Sequence, residues 1–487
     1  MLSLAVLFPI IAGFAMFFLP LSSRRMREIV VEGVTLATSA LVFLRMFQGG
    51  GEEIIFYLTD AQPIGFMLDG VGSVFTAIVA FLWPLSVLYA FEYMEHVGGE
   101  KHFFAIYTIT YGVTLGISTS ANVMTLYLFY EFLTLCTMPL VMHGTKRDAV
   151  RAGHQYMIYS FFGAAIAFVG VMLCTYNGGH ASFAMGGVLN PAFTAEQPLA
   201  VQIGYLCMLL GFGVKAAMFP LHAWLPIASV APTPVTALLH AVAVVKSGVF
   251  SIIRVTYFLI GAQILRGTPA QNIALALASI TIVYGSTMAV REHHFKRRLA
   301  YSTISNLSYI IMAVSLMTAA GLAAGLAHML FHALIKITLF FTAGAVLVRT
   351  ERTQIESLRG LSSVMPKICV VYTVAALALM GMPMLPGFVS KWMIGVAAVA
   401  HATPMAYVGA IAVLISAVLT AIYLMSVVVA MYFRPLEEGH GAVAGVRNDP
   451  SWKMLLPLYI LVGAIVLCGL FSNNVTQALT AIASGVV

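Results

Sequence analysis

Apolar residues run through this chain in long blocks, with neither the strict alternation of a surface strand nor the one-sided stripe of a soluble helix. The blocks reach roughly 20 residues, the length an α-helix needs to cross a bilayer. Polar or Gly/Pro-rich stretches separate them. Unpaired backbone groups are costly in hydrocarbon, so helices are the expected form of such segments. The pattern predicts about fourteen spans, near 2–20, 28–48, 68–91, 103–119, 121–142, 155–176, 199–228, 235–258, 270–290, 299–318, 322–348, 368–398, 405–433 and 453–471. The expected fold class is therefore all-α integral membrane, one membrane domain over 1–487. The longest polar stretches, 49–66, 177–198 and 434–451, leave no room for a soluble domain.

Two spans are longer than a bilayer requires and contain helix breakers, which predicts discontinuous helices. In GFGVKAAMFPLHAWLP, Pro220 and Pro226 follow Lys215; in GMPMLPGFVSKWMIG, Pro383, Pro386 and Gly387 precede Lys391. Each break has a lysine beside it, about five spans apart, and this spacing suggests an internal repeat of 103–258 and 270–433. Helices 1–3 (1–102) precede the repeats and the helix 453–471 follows them.

Composition agrees with a membrane setting: 61% of residues are hydrophobic, 9% are charged, and mean hydropathy is +0.96. The placement of charge adds an orientation. Eighteen Lys and Arg fall in loops on one side, and only Arg45 and Arg266 on the other. By the positive-inside rule this puts both termini on the outer, periplasmic side of an inner membrane. The net charge of +7 is then a mark of topology and not of nucleic-acid binding. The first segment lacks a basic region before it and reads as an uncleaved anchor.

Five basic residues remain inside spans: Lys215, Lys246, Arg254, Lys336 and Lys391, with Glu131 as the clearest mid-span acid. A charge at mid-bilayer costs roughly 2.5–3.5 kcal/mol even on insertion scales, so these groups must face partners or a wet interior. A static ion pair is the plain alternative for any one of them. His328, His332 and Lys336 stand at i, i+4 and i+8 and share one helix face, which suits a proton relay because imidazole titrates near neutrality. Packing, or metal or haem ligation, is the competing role for that stripe. Glu131 has no base one turn away on its own helix, and Lys215 is its candidate counter-charge; a change in their separation would load or unload a proton. His240 and Lys246 are six residues apart and need separate partners.

The run REHHFKRRLAYS, Arg291 to Ser302, reads chiefly as a basic cluster at lipid headgroups. Five isolated cysteines and 27 methionines read as packing residues. No CxxC, phosphate loop, nucleophile elbow or HExxH motif is present, so no catalytic centre, metal or cofactor is expected.

Taken together, Glu131 in span five, GFGVKAAMFPLHAWLPIASVAPTPVTALLHAVAVVKSGVF, KRRLAYSTISNLSY, HMLFHALIKITLFFTAG and LMGMPMLPGFVSKW resemble the antiporter-like subunits shared by respiratory complex I, membrane-bound hydrogenases and Mrp-type sodium/proton antiporters. The likeness covers most of the chain. It implies fourteen helices with two inverted five-helix repeats. It also implies Glu131 and Lys215 as paired charges of a first half-channel, and Lys246, Lys336, His328 and His332 along a central hydrophilic axis. Lys391 would be the broken-helix lysine of the second half-channel. GMPMLPGF departs from the family's frequent GIPPLSGF at Met384 and Pro386.

The function so implied is proton translocation, or sodium/proton exchange, by one subunit of a complex I-like, hydrogenase or Mrp-type membrane assembly. The expected partners are other membrane subunits, a peripheral redox module and the lipid bilayer. An autonomous transporter of a small solute, a non-conducting scaffold and an integral-membrane redox enzyme are the other classes open to such a chain.

Overall fold

The computed structural model describes residues 1–21, 23–49, 51–59, 62–144, 147–178, 182–433 and 447–486. Lys146, Arg434 and most of the polar stretch 434–451 lie outside the described residues. Among the described residues, ten helices are long and apolar enough to cross a membrane by length and composition, from Arg24–Gln48 to Trp452–Leu470. Leu2–Phe18 and Pro366–Met380 are shorter apolar helices.

The fold departs from a purely helical expectation at one place. The stretch 49–66 holds an antiparallel strand pair, Glu53–Thr59 and Gln62–Phe66. The run IIFY supplies the β-branched and aromatic residues that favour a pleated surface. A helix not expected from the hydropathy pattern, Ser472–Ser484, follows the last apolar segment.

The two breaks expected from proline and glycine are present. Helix Pro198–Lys215 ends at the lysine, and the chain continues through turns, with Ala217 at φ 55°, before the short helix Trp224–Ala228. The Val214 carbonyl, which accepts from Ala217 N at 3.0 Å, also accepts a hydrogen bond from Trp224 Nε1 at 2.7 Å. Helix Pro366–Met380 stops at Gly381, whose φ of 98° suits glycine, and Pro386–His401 begins after four residues.

A third break corrects the expectation of one continuous span at 235–258. Helix Thr233–Ala241 ends at Val242, with φ −125° and ψ −62°, and helix Val244–Arg254 follows. Ala243 N reaches back five residues to Leu238 O at 2.8 Å, so the turn widens without proline or glycine. A π-helical segment, Val255–Ile260, completes the span. This span is buried along its whole length, and Ala319–Thr350 is nearly so. These two elements form the centre of the molecule, and the remaining helices cover them.

Glycine lets key elements approach. A Cβ on Gly248 would lie 2.5 Å from Ala216 N and 3.0 Å from the Lys215 carbonyl carbon, so Val244–Arg254 packs directly on the first break. A Cβ on Gly387 would meet Ala378 O at 1.9 Å, so the two halves of the second broken helix touch backbone to backbone.

Candidate functional site

Lys246 follows the third break by three residues, and its Nζ contacts His332 Nδ1 on the central helix Ala319–Thr350. An ammonium and an Nδ1–H cannot donate to each other, so the two groups hold one proton between them at this contact. The His332 ring lies 5.9 Å from the His328 ring, as their i, i+4 spacing requires. His328 Nδ1 is hydrogen-bonded to Ser390 Oγ at 2.9 Å. Ser390 precedes Lys391, and Lys391 Nζ donates to the Leu379 and Met380 carbonyls at 2.7 and 3.0 Å. These carbonyls are among those freed where helix Pro366–Met380 ends. A polar track therefore runs from Lys246 to the second break through two histidines and a serine.

Lys336 shares the helix with both histidines, yet its ammonium leaves the track. It donates to Leu299 O at 2.9 Å and contacts Ser302 Oγ, both on helix Phe295–Ser315. His240 is wholly buried against the Phe340 ring at 4.7 Å, and neither ring nitrogen has a protein partner. His328 Nε2 and His332 Nε2 are buried in the same way. Buried polar atoms ordinarily find a partner, so this interior is suited to hydration or to rearrangement.

Lys215 and Glu131 are near each other without direct contact. Lys215 Nζ donates to the Tyr130 carbonyl and sits 3.4 Å from the centre of the Tyr130 ring. Glu131, one residue further on helix Val123–Val141, is within electrostatic reach of Lys215, and its Oε1 is buried with no hydrogen-bond partner. Beside this break a cleft of about 550 Å³ is lined by Asp148, Arg151, His222, Tyr284, Glu292 and Arg297.

Arg254, the fifth in-span cation, is a static ion pair. Its guanidinium holds both Asp69 oxygens, one at 3.0 Å, and Asp69 Oδ1 also caps helix Gly70–Val97 through Gly72 N at 2.7 Å. The basic run Arg291 to Ser302 is not simply a headgroup cluster. Lys296 is buried and donates to Ala231 O at 2.7 Å, and Arg298 donates to Tyr423 O at 3.0 Å and Ser426 Oγ at 2.7 Å. Lys296 reaches a carbonyl in the turn after helix Trp224–Ala228, and Arg298 a carbonyl and a hydroxyl within helix Pro404–Phe433.

Sequence reading missed Ser390, Tyr130, Ser302 and Tyr309 as site residues. Tyr309 lies 5.7 Å from Lys391 Nζ and 5.2 Å from the His328 ring. Ser302 and Tyr309 are seven residues apart in an apolar helix, a one-face spacing that was available as a signal. Among the described residues no cluster of three His, Cys, Asp or Glu could hold a metal ion.

The family model described as NADH:quinone oxidoreductase/Mrp antiporter, TM, matches residues 120–420. NADH-quinone oxidoreductase subunit N of Desulforudis audaxviator is 28% identical over 442 residues, which cover 87% of this chain and 86% of that protein. A chain of the membrane-bound sulfane sulfur reductase, an archaeal respiratory membrane complex, superposes with a TM-score of 0.86 at 25% identity, covering 100% of this chain and 97% of its own. A chain of the Mrp complex from Dietzia sp. gives a TM-score of 0.84 at 20% identity, with coverage of 100% and 97%, a likeness of fold.

Proposed function

The chain belongs to the NADH:quinone oxidoreductase/Mrp antiporter family of integral membrane proteins, and from that premise we propose that it moves protons across the inner membrane as one subunit of a multi-subunit complex. The observation that carries this reading is the track Lys246–His332–His328–Ser390, which ends beside Lys391 at a broken helix. Nitrogen groups in sequence can pass protons, whereas a hard cation such as sodium needs a cage of oxygens. The track therefore favours protons over sodium as the transported ion.

In this reading Glu131 and Lys215 form the entry switch of the first half-channel, with the polar cleft at His222 as its approach. Lys246, His332 and His328 conduct along the axis. Lys391 gates the second half-channel, and Lys336 sets the electrostatic level of the centre from the side. The breaks after Lys215 and Met380 support a fourteen-span chain with inverted five-helix repeats at 103–258 and 270–433. The one-sided distribution of Lys and Arg supports termini on the outer face. Energy comes from an attached redox module or from partner subunits.

The test is proton flux in vesicles carrying the reconstituted complex. Lys246→Met should leave assembly intact and abolish flux, because it removes the charge that shares a proton with His332. Flux at the parental rate would overturn the reading in favour of a scaffold.

A further inference from the structure

Four helix ends meet on the Lys/Arg-rich side of the chain: the starts of Arg24–Gln48 and Trp452–Leu470, and the ends of Gly70–Val97 and the central helix Ala319–Thr350. Between them lies a cleft of about 750 Å³ whose lining residues are all polar. Its three carboxylates are taken. Glu28 pairs with Arg24 Nε at 3.1 Å and with Lys453 Nζ at 2.8 Å, and Glu95 pairs with Arg24. Glu92 accepts from Arg349 Nη2 at 2.7 Å, from Ser451 N at 3.0 Å and from the Ser451 hydroxyl.

The donors are not used up. Arg25 lines the cleft, is exposed and has no ion-pair partner among the described residues; Arg349 Nε is buried with no acceptor. Arg24, Arg25, Arg349 and Lys453 stand against three acids, so with His96 neutral one positive charge is left over. The helix starts add to the imbalance. Arg24 and Arg25 open one helix and Lys453 the other, with no acid in either first turn. A helix start favours negative charge, so cations placed there call for more anion than the three acids supply.

The surroundings decide which anion fits. Met26 and Ile29 are exposed beside Arg25 and Glu28, as are Trp452 and Leu456 beside Lys453. Only 28% of the most apolar stretch of Arg24–Gln48 is buried within the chain, which leaves an apolar face open to the bilayer below the cleft. Trp452 suits the headgroup level, where tryptophan is enriched. A basic socket at the ends of membrane helices, flanked by apolar faces, matches a phospholipid with its phosphate in the cleft and its chains along the helices. Free phosphate would use the socket alone.

We propose that this cleft binds the phosphate of an anionic phospholipid from the leaflet on the Lys/Arg-rich side, with Arg25 and Arg349 as donors and the outer faces of Arg24–Gln48 and Trp452–Leu470 holding the acyl chains. The lipid ties the amino- and carboxy-terminal helices to the end of the central helix that carries His328 and His332. The site stands whichever ion the chain moves.

The test uses the intact complex in phosphatidylcholine vesicles that contain a small fraction of photoactivatable phosphatidylglycerol or, as control, of photoactivatable phosphatidylcholine. Labelled peptides are mapped by mass spectrometry. Phosphatidylglycerol should label the starts of helices Arg24–Gln48 and Trp452–Leu470, and phosphatidylcholine should label them far less. Arg25→Gln removes no internal contact and should cut the phosphatidylglycerol labelling roughly fivefold, the effect of one arginine at a charged membrane surface. Arg349→Lys keeps a charge for Glu92 and loses the Nε donor, so labelling should fall there too; Arg25→Gln carries the test if this variant does not assemble. Equal labelling by the two lipids, or parental labelling in Arg25→Gln, overturns the site. Loss of the label on adding millimolar inorganic phosphate would reveal a site for a free anion and overturn the lipid assignment.

Discussion

At the first break Lys215 is the last residue of its helix and reaches outward, to the carbonyl and ring of Tyr130 on a neighbouring helix. At the second, Lys391 is the sixth residue of the helix that follows the break, and it reaches back to Leu379 and Met380, in the helix before it. An acid, Glu131, stands within electrostatic reach of the first lysine; the second is held by neutral carbonyls and faces a tyrosine ring. Both sites satisfy an ammonium in an apolar interior, by different means. The first can be tuned by moving a carboxylate, the second only by moving the lysine.

The sharpest way to break this comparison is a double-mutant cycle at the first site. Glu131→Gln and Lys215→Met should each stop proton flux, and together they should destabilise the complex less than their sum, with a coupling of about 0.5–3 kcal/mol. Coupling near zero in both flux and stability would show that the two residues do not sense each other. The exchange Glu131→Lys with Lys215→Glu should recover assembly and not transport, because each site's access to water is reversed relative to its charge.

At the second site Lys391→Ala should leave assembly intact and lose pumping, and it should show no coupling to Glu131→Gln. Parental pumping in vesicles would make Lys391 a staple between helix halves. On the central helix, Lys336→Met should slow translocation more than His328→Ala or His332→Ala, since water replaces an imidazole more readily than a charge. Equal, negligible effects from all three would favour packing. The smallest effects are steric. Gly387→Ala, driven into the Ala378 carbonyl, should cost about 1–3 kcal/mol in thermal unfolding of the complex. Gly248→Ala, whose Cβ would have 2.5 Å to its nearest atom, should cost less. The reverse order would mean that the second break relaxes more easily than the first.

The helical membrane character and both expected breaks were legible because hydrocarbon imposes length and proline and glycine mark interruption. The break at Val242 and Ala243 was not, since HAVAVV contains no breaker and the widened turn depends on elements packed around it. Glu131, Lys215 and Lys246 stood out as charges in apolar runs. Their contacts did not, because Lys246 meets His332 across 86 positions of sequence and His328 meets Ser390 across 62. Lys296 was misread because a basic run at a helix start looks like a headgroup anchor until one member turns inward.

The partners of Lys391 have a kinetic consequence. A peptide carbonyl can accept a hydrogen bond but does not hold a proton at ordinary pH, so a proton arriving on Lys391 has no onward route through Leu379 or Met380. In the proton-translocation reading proposed above, release at Lys391 would then take a swing of the side chain away from the break. The slow event at this end of the molecule would be a mechanical displacement of a charged arm and not the hop of a proton between atoms, so replacing water with heavy water should barely change the turnover set there.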